Sequence, residues 1–564
     1  MKFNEIKYVQ IDFDEIRNNY ASLTEELSNS TNKNEALEII KKINKINDDF
    51  ATYSTLASIR NSIDTSDELY EKAQEFFDEV SPQYQELVNN YYRVLINLPF
   101  KNELKDELGS LLFNQIALSL KTFKPEIIED LIEENKLSTE YSKLIASAKI
   151  DFDGKVLNLS QLGPYAESKD REMRRAASEA KGKWYYDHMN EIDEIYDKMV
   201  KVRTRIAKKL GYDNYVQLGY DNLGRIDYNP EDVKNYRKQI YESLVPIAQD
   251  LFKKQIKRIN IENPMPYDFN LNFLSGNAKP IGTTKEKVEN AMKMYDELSN
   301  ETSSFFRFLV ENELMDLETK PNKQGGGYCT YLPNYQMPFI FSNFNGTSGD
   351  VDVLTHEFGH SFQVYSSKDI PIPEYIWPTL EACEIHSMSM EFFAYPWMNL
   401  FFGEDEEKYK YGHLKGAITF VPYGAAVDEF QTFVYENYEA TPKERRMKWL
   451  EIQNKYEPHL KYNELEYYKE GIRWFAQAHI FNSPFYYIDY TLAQVCAFQF
   501  KNMMDVDKEK AWNTYVKLCK LGGSKSFLNL LKEVGLMNPF LDGCIEKVMK
   551  PLKKYINSID DSKF

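Results

Sequence analysis

Two histidines four residues apart, with a glutamate next to the first, are the residues of this sequence best suited to chemistry. They are His356, Glu357 and His360, in the run His-Glu-Phe-Gly-His. On a helix, positions i and i+4 share a face, so both imidazoles can bind one zinc ion while the glutamate points toward a water molecule. Chance placement of seven histidines among 564 residues gives roughly 0.01 such matches per chain. The sequence therefore predicts a helical site for one Zn²⁺ per chain.

A catalytic zinc ion needs a third protein ligand and keeps its fourth position for water. The third histidine of the longer zinc motif is absent, because Ser366 stands at its position. A later carboxylate is the other common solution, and Glu381 and Glu384 both lie in the next predicted helix. Their spacing alone does not choose between them. His386 in the same helix also competes as a ligand, although an ordinary polar helix residue is the more frequent case.

A second polar group lies further along the chain. His479 precedes a tyrosine-rich run that contains Tyr486, Tyr487 and Tyr490. Taken alone, tyrosines beside phenylalanine more often pack a core or a surface than bind substrate. The residue types by themselves therefore leave the role of this group open.

Together these groups resemble oligoendopeptidase F and the related thimet-type oligopeptidases. The resemblance lies in the His-Glu-Phe-Gly-His core and in Glu384, 28 residues (384 − 356) after His356, which opens the segment Glu-Ile-His-Ser-Met-Ser-Met-Glu. It implies that Glu384, rather than Glu381, is the third zinc ligand. It also implies that Glu391, which ends this segment, orients a ligand imidazole.

The same resemblance assigns roles to the downstream group. In the resembling enzymes, a histidine followed by a tyrosine-rich helix faces the zinc and donates hydrogen bonds to the scissile carbonyl and the peptide backbone. His479 and Tyr490 match this motif, whereas Tyr486 and Tyr487 match it less closely because the spacing after the histidine differs. The resemblance thus implies a catalytic role for these four residues.

The implied activity is a zinc-dependent endopeptidase that hydrolyses internal bonds of short, unfolded peptides, with Glu357 as general base. Two alternatives remain. A zinc exopeptidase of the dipeptidyl carboxypeptidase type would need a group that fixes a substrate terminus, and no single residue announces one. An inactive peptide-binding homologue would be expected to carry a damaged motif, whereas both histidines and Glu357 are intact.

The elements that must position these residues are mostly helical. Apolar residues recur at three- and four-residue intervals along most of the chain, with a loop-like interruption between Phe152 and Pro164. Strand signals lie between about residues 326 and 345, which predicts a small sheet directly before the zinc-binding helix. Its strand around Phe339 to Phe344 is expected to offer an open edge to an extended peptide.

The predicted fold class is mainly α. The family resemblance implies two large helical lobes that enclose a deep substrate channel with zinc near its floor. We expect residues 1–195 to form an N-terminal helical lobe and residues 196–564 to form the catalytic metallopeptidase domain. Residues 263–281 are rich in Pro, Asn and Gly and are predicted to be loops inside that domain.

Composition excludes several other classes of protein. The net charge of −18 disfavours nucleic acids and anionic membranes as partners, because both are bound by clustered Lys and Arg. No stretch is apolar enough to span a bilayer, and the amino terminus lacks the apolar core of a secretory signal. Five cysteines without a Cys-x-x-Cys pair are expected to be reduced. A cytoplasmic protein is the resulting prediction, and the oligomeric state stays open.

Overall fold

The computed structural model describes residues 1–564, and its amino-terminal part is a group of helices. They are α1 (Phe13–Ser28), α2 (Lys33–Ile63), α3 (Glu68–Asn97), α4 (Lys101–Leu108), α5 (Ser110–Thr122) and α6 (Ile128–Ala146). Asp12, Asn32 and Asp67 cap the first three, because each side chain accepts a hydrogen bond from a backbone N–H of the first turn. Buried side chains of α1 to α5 form an apolar core of their own.

A short hairpin follows, where a loop-like interruption was predicted. Strands β1 (Ile150–Phe152) and β2 (Lys155–Leu157) pair antiparallel. The two turn residues, Asp153 and Gly154, both have positive φ, 51° and 71°. This is the conformation that a two-residue hairpin turn requires, and Asp-Gly is a favoured sequence for it. The loop prediction was therefore wrong for residues 152–157, where the Asp-Gly pair was the overlooked signal.

Helices resume after the hairpin. They are α7 (Gly163–Ala166), α8 (Arg171–Asp187), α9 (Met189–Leu210), α10 (Tyr215–Asn222), α11 (Pro230–Gln239), α12 (Val245–Arg258), α13 (Thr284–Leu298) and α14 (Asn300–Glu311). Helix α9 runs without a break through residue 195, so the division at that residue stays a prediction. Residues 263–281 contain only one short 3₁₀ turn, Pro266–Asn270, and the loop prediction for them is confirmed.

A three-stranded sheet precedes the histidine motif, as predicted. Its strands are β3 (Met315–Glu318), β4 (Tyr328–Leu332) and β5 (Met337–Phe344), in the order β3-β5-β4. Strand β5 pairs parallel with β3 and antiparallel with β4. The predicted open edge along Phe339 to Phe344 is therefore wrong, because the short strand β3 was not recognised and covers that side. The free edges of the sheet belong to its outer strands, β3 and β4.

The remaining helices carry the candidate site and the carboxy-terminal part of the core. They are α15 (Gly349–Ser367), α16 (Leu380–Phe393), α17 (Asn399–Phe402), α18 (Glu406–Glu436), α19 (Pro442–Tyr456), α20 (Glu466–Lys469), α21 (Ala478–Asn482), α22 (Tyr487–Val506), α23 (Lys508–Leu521), α24 (Phe527–Val534) and α25 (Cys544–Ser558). Helix α16 packs against both α15 and α22. Most candidate site residues therefore come from three neighbouring helices.

Helices thus dominate, and the only sheets are small, which confirms the mainly α fold with a small sheet beside the histidine helix. The main apolar core extends from the first residues to the last helix. None of the helices combines the length and the apolar character that a bilayer crossing requires. All five cysteines are unpaired, as expected.

Candidate active site

Helix α15 presents the two histidines of the motif on one face. The ring centroids of His356 and His360 lie 5.1 Å apart. Gly359 between them explains why the motif contains a glycine. A Cβ atom at Gly359 would lie 2.6 Å from the carbonyl oxygen of His386 and 2.6 Å from the Cα of Ser387, both on α16. The absence of a side chain thus lets the two helices approach closely enough for α16 to contribute a ligand to the same site.

The candidate ligand on α16 is Glu384. Its Oε2 lies 3.1 Å from His356 Nε2 and 3.3 Å from His360 Nε2. Two ligands of a tetrahedral zinc ion, each about 2 Å from the metal, are separated by about 3.3 Å. All three candidate ligand atoms lie within 4.8 Å of one another. The donor set of two imidazoles and one carboxylate therefore fits zinc in both chemistry and spacing.

The competing residues of α16 do not join this group. Glu381 is fully buried one turn earlier, and neither of its carboxylate oxygens has a hydrogen-bond partner. His386 is also fully buried, both of its ring nitrogens lack partners, and burial lowers its pKa to about 3. Neither residue belongs to the cluster of possible metal ligands.

A carboxylate behind the histidines orients the first of them. His356 Nδ1 donates to Glu391 Oε1 at 2.6 Å, so its Nε2 is left free to face the ligand cluster. Glu391 Oε2 in turn lies 2.7 Å from His413 Nε2, and His413 Nδ1 lies 2.7 Å from the hydroxyl of Tyr395. Glu391 was expected from the sequence. His413 on α18 was not, because nothing in its local sequence indicates that α18 packs beside the site.

Glu384 is held from its other side as well. Ser387 Oγ donates to Glu384 Oε2 at 2.8 Å, and the hydroxyl of Tyr486 donates to Glu384 Oε1. Although burial raises the pKa of Glu384, the imidazoles of His360 and His356 hold it well below its usual range. Burial likewise disfavours a charged His356, but Glu384 and Glu391 raise the pKa of this histidine well above its usual value. The surroundings therefore favour the deprotonated form of Glu384 and a positive charge beside it.

Glu357 lies next to the ligand cluster with one oxygen free. The residue is 5% exposed, and its Oε2 accepts no hydrogen bond within the protein. Burial raises the pKa of Glu357. Gly327, at the start of β4, keeps space in front of this carboxylate, since a Cβ there would lie 3.3 Å from Glu357 Oε1. A buried, unpartnered carboxylate is well suited to accept a proton.

The tyrosine-rich group faces the same cleft from α21 and α22. His479 Nε2 lies 2.9 Å from the hydroxyl of Tyr490, and Gln477 Nε2 donates to His479 Nδ1 at 2.8 Å. Burial lowers the pKa of His479 to about 4, so the imidazole is neutral at physiological pH. Tyr487 packs edge-on against Tyr423 at the side of the group. Gln477 is a further polar residue that sequence reasoning did not identify.

A buried ion pair holds the turn that leads into α22. Phe485 in this turn has a positive φ of 66°. Arg225 donates to the carbonyl of Phe485 at 2.7 Å and to Asp489 Oδ1 at 2.5 Å. Asp489 directly precedes Tyr490 in the sequence, and both members of the pair are buried. Arg225 thus fixes the backbone turn and the first turn of α22, from which Tyr490 projects.

Two cavities flank Glu357, and both are lined by Gly327, His356, Glu357, His479 and Tyr490. One, of about 570 Å³, runs along β4 from Tyr328 to Tyr331 and is called the β4 cavity. The other, of about 530 Å³, includes Glu391, His413 and Tyr487 and is called the His413 cavity. The candidate site therefore lies between two spaces rather than at the end of one.

The chain is similar to known proteins in sequence and in fold. In sequence, the chain is 27% identical over 320 residues to an oligoendopeptidase F homolog of Borreliella burgdorferi, which covers 54% of this chain and 53% of that protein. It is 22% identical over 381 residues to oligopeptidase PepF of Bacillus subtilis, covering 66% of this chain and 55% of that protein. The chain thus spans little more than half the length of these two relatives.

The match to a solved structure is more extensive. PZ peptidase A, solved with an inhibitor, superposes with a TM-score of 0.99 at 51% identity, and the alignment covers 100% of both chains. The model of the peptidase M3 N-terminal domain matches residues 3–123, and the model of peptidase family M3 matches residues 164–550. Because this second match alone covers more than half of the chain, the protein belongs to peptidase family M3.

Proposed function

We propose that this protein is a zinc-dependent oligopeptidase that hydrolyses internal bonds of short peptides. The observation that carries the proposal is the meeting of His356, His360 and Glu384 at zinc-ligand spacing, next to the free oxygen of Glu357. The names of the relatives, oligoendopeptidase F homolog and oligopeptidase, support the same class of activity. The intact motif disfavours an inactive peptide-binding homologue.

In this proposal His356, His360 and Glu384 would hold one Zn²⁺, which would supply Lewis-acid chemistry to the scissile carbonyl and to water. Glu357 accepts the proton of the attacking water through its unpartnered oxygen and passes it to the departing amine. Glu391 fixes the ring of His356, and Tyr486 fixes the carboxylate of Glu384.

Tyr490 is the proposed donor to the developing oxyanion. Because Gln477 donates to His479 Nδ1, the proton of this neutral imidazole lies on Nε2 and is donated to the oxygen of Tyr490. The hydroxyl proton of Tyr490 is then free for the substrate. One donor of this kind contributes about 3 kcal/mol to lowering the barrier. Tyr487 makes no comparable hydrogen bond and is assigned to the wall of the His413 cavity.

The two flanking cavities favour an endopeptidase over an exopeptidase, because a peptide chain can extend from the reacting bond in both directions. Along the β4 cavity, the free edge of β4 can pair with an extended peptide through backbone hydrogen bonds that do not depend on side-chain identity. The protein should therefore accept peptide substrates of many different sequences. The net charge of −18 disfavours nucleic acids as partners, and unpaired cysteines favour a reducing compartment such as the cytoplasm.

The proposed function is tested by Glu357→Gln together with a metal analysis. Removing the base should lower kcat on an internally quenched peptide with blocked termini by about 10²- to 10⁴-fold. Mass spectrometry should still find one zinc ion per chain, because Glu357 is not a ligand. Glu404→Gln, an exposed glutamate, is the matched control and should behave like the wild type. Full turnover by the Glu357→Gln protein, or by a folded zinc-free protein, would contradict the proposal.

A further inference from the structure

A third cavity, of about 510 Å³, adjoins the His413 cavity. It shares Glu167, Asn270 and Gln477 with that cavity. Gln477, which lines this third cavity, donates a hydrogen bond to His479 at 2.8 Å. A single residue therefore separates the cavity from the proposed catalytic group. Apolar and aromatic side chains dominate the walls, which are lined by Leu159, Leu162, Tyr185, Phe252, Phe269 and Tyr468 among others. We call it the Lys181 cavity, after the cation within it.

Lys181 lies in this cavity without an acidic partner. It forms no ion pair and no hydrogen bond within the protein, whereas the other cation of the cavity, Arg473, is held by Glu457. Burial lowers the pKa of Lys181, and the charge of nearby Arg473 lowers it further. An anion bound beside such an amine favours its charged form.

A second donor without a partner, the hydroxyl of Tyr185, lines the same cavity. Tyr185 follows Lys181 by four residues on α8, so the two side chains share one face of that helix. The hydroxyl of Tyr185 has no partner within the protein. In contrast, the hydroxyls of Tyr423 and Tyr462 donate to Gln477 at 3.0 Å and to Gln453 at 3.1 Å. An ammonium and a hydroxyl that line one cavity from the same helix face suit the two oxygens of a carboxylate.

We propose that the Lys181 cavity binds the C-terminal carboxylate of a peptide substrate, through Lys181 and Tyr185, while its apolar wall accommodates the last side chain. This inference rests on the proposed oligopeptidase function and adds to it a preference for a free carboxy terminus. Such an anchor limits how much chain can follow the cleaved bond, so the protein selects short peptides. Glu167, at the junction of the two cavities, is bonded to Asn277 and leaves Lys181 available.

The test compares two internally quenched peptides of one sequence, with a free carboxylate or an amide at the carboxy terminus. For the wild type, kcat/KM should be on the order of tenfold higher for the free acid than for the amide. A hydrogen bond to a charged group typically contributes enough free energy for such a ratio. Lys181→Met should bring this ratio close to one. Lys183→Met should keep it, because Lys183 lies on the same helix but is exposed and paired with Asp187. A third peptide has Glu as its last residue and an amide at its carboxy terminus. It tests whether an acidic side chain can replace the terminal carboxylate in the Lys181 cavity.

Binding gives a second measurement that does not need turnover. Titration of the Glu357→Gln protein with the same two peptides should show on the order of tenfold tighter binding of the free acid, and Lys181→Met should abolish this difference. Equal binding of acid and amide would overturn the anchor while leaving the peptidase intact. A binding preference without hydrolysis of any peptide by the wild type would instead refute the proposed function and retain the anchor.

Discussion

The two sides of the cleft are built differently. On the metal side, all three candidate ligands lie within long helices, α15 and α16, whose contact at Gly359 leaves no room for a Cβ. On the tyrosine side, His479 lies on the five-residue helix α21, and a turn with a positive φ leads from it to Tyr490. The first side is made rigid by helix packing, and the second depends on hydrogen bonds to a turn.

The difference matches what each side has to do. Metal ligands must keep one geometry whether or not substrate is present, and here His356 and Glu384 each have a partner outside the ligand cluster that holds them. A donor to the oxyanion must instead keep one hydrogen free for a group that exists only during the reaction. We therefore expect changes on the metal side to appear as weaker zinc binding, and changes on the tyrosine side to appear as slower turnover with zinc retained.

Among the variants that compare the two sides of the cleft, the largest effect is expected for Tyr490→Phe. Loss of the oxyanion donor should lower kcat by about 10²- to 10³-fold, while zinc content stays at one ion per chain. Steady-state kinetics on a quenched peptide and mass spectrometry measure the two quantities. Tyr241→Phe, which alters an exposed tyrosine, should change neither. Loss of zinc from the Tyr490→Phe protein would show that the tyrosine side also contributes to metal binding.

Glu391→Gln should act on the metal side alone. Weakening the bond to His356 Nδ1 should raise the Kd for zinc by about 10- to 100-fold, as measured by competition with a chromogenic chelator. Glu381→Gln, on the same helix but outside the ligand cluster, is the control and should retain the affinity of the wild type. An unchanged Kd in Glu391→Gln, or a large loss in Glu381→Gln, would reverse the assignment of these two carboxylates.

Gly359→Ala tests whether helix contact makes the metal side rigid. The added methyl group would meet the backbone of α16 at 2.6 Å, so the helices must separate, at a cost of about 1–3 kcal/mol in the free energy of unfolding. The midpoint of chemical denaturation measures it. Gly416→Ala serves as the control, because a Cβ there meets nothing within 4 Å. Equal stability of the two variants would show that α15 and α16 tolerate separation.

The smallest effect concerns the pH dependence of His479. A folded-state pKa of about 4 means that this histidine loses its proton as the pH rises through 4 and stays neutral above it. His479→Gln should therefore lower kcat/KM without changing the shape of its pH profile between about pH 5 and 8. Disappearance of an acid limb near pH 6.5 in the variant would show that His479 titrates at its ordinary pKa.

The sequence alone indicates which site residues lie together only where the spacing is local. The i, i+4 relation of His356 and His360 is a property of any helix, and the structure places both rings on one face of α15. Glu384 could be chosen over Glu381 only through the family resemblance, because the two are one turn apart on α16. The open edge assigned to β5 failed for a related reason, since the pairing of β5 with β3 involves residues far apart in the chain.

The sequence by itself determined the mainly α fold, the histidine helix and the small sheet before it, because periodicity and turn residues act over a few positions. The tertiary structure decided which groups meet: His413 with Glu391, Arg225 with Asp489, and Lys181 and Tyr185 with Gln477 in the lining of one cavity. Such meetings depend on how helices far apart in the chain pack together. Side-chain volumes and close backbone contacts such as that at Gly359 set this packing, and neither leaves a local pattern in the sequence.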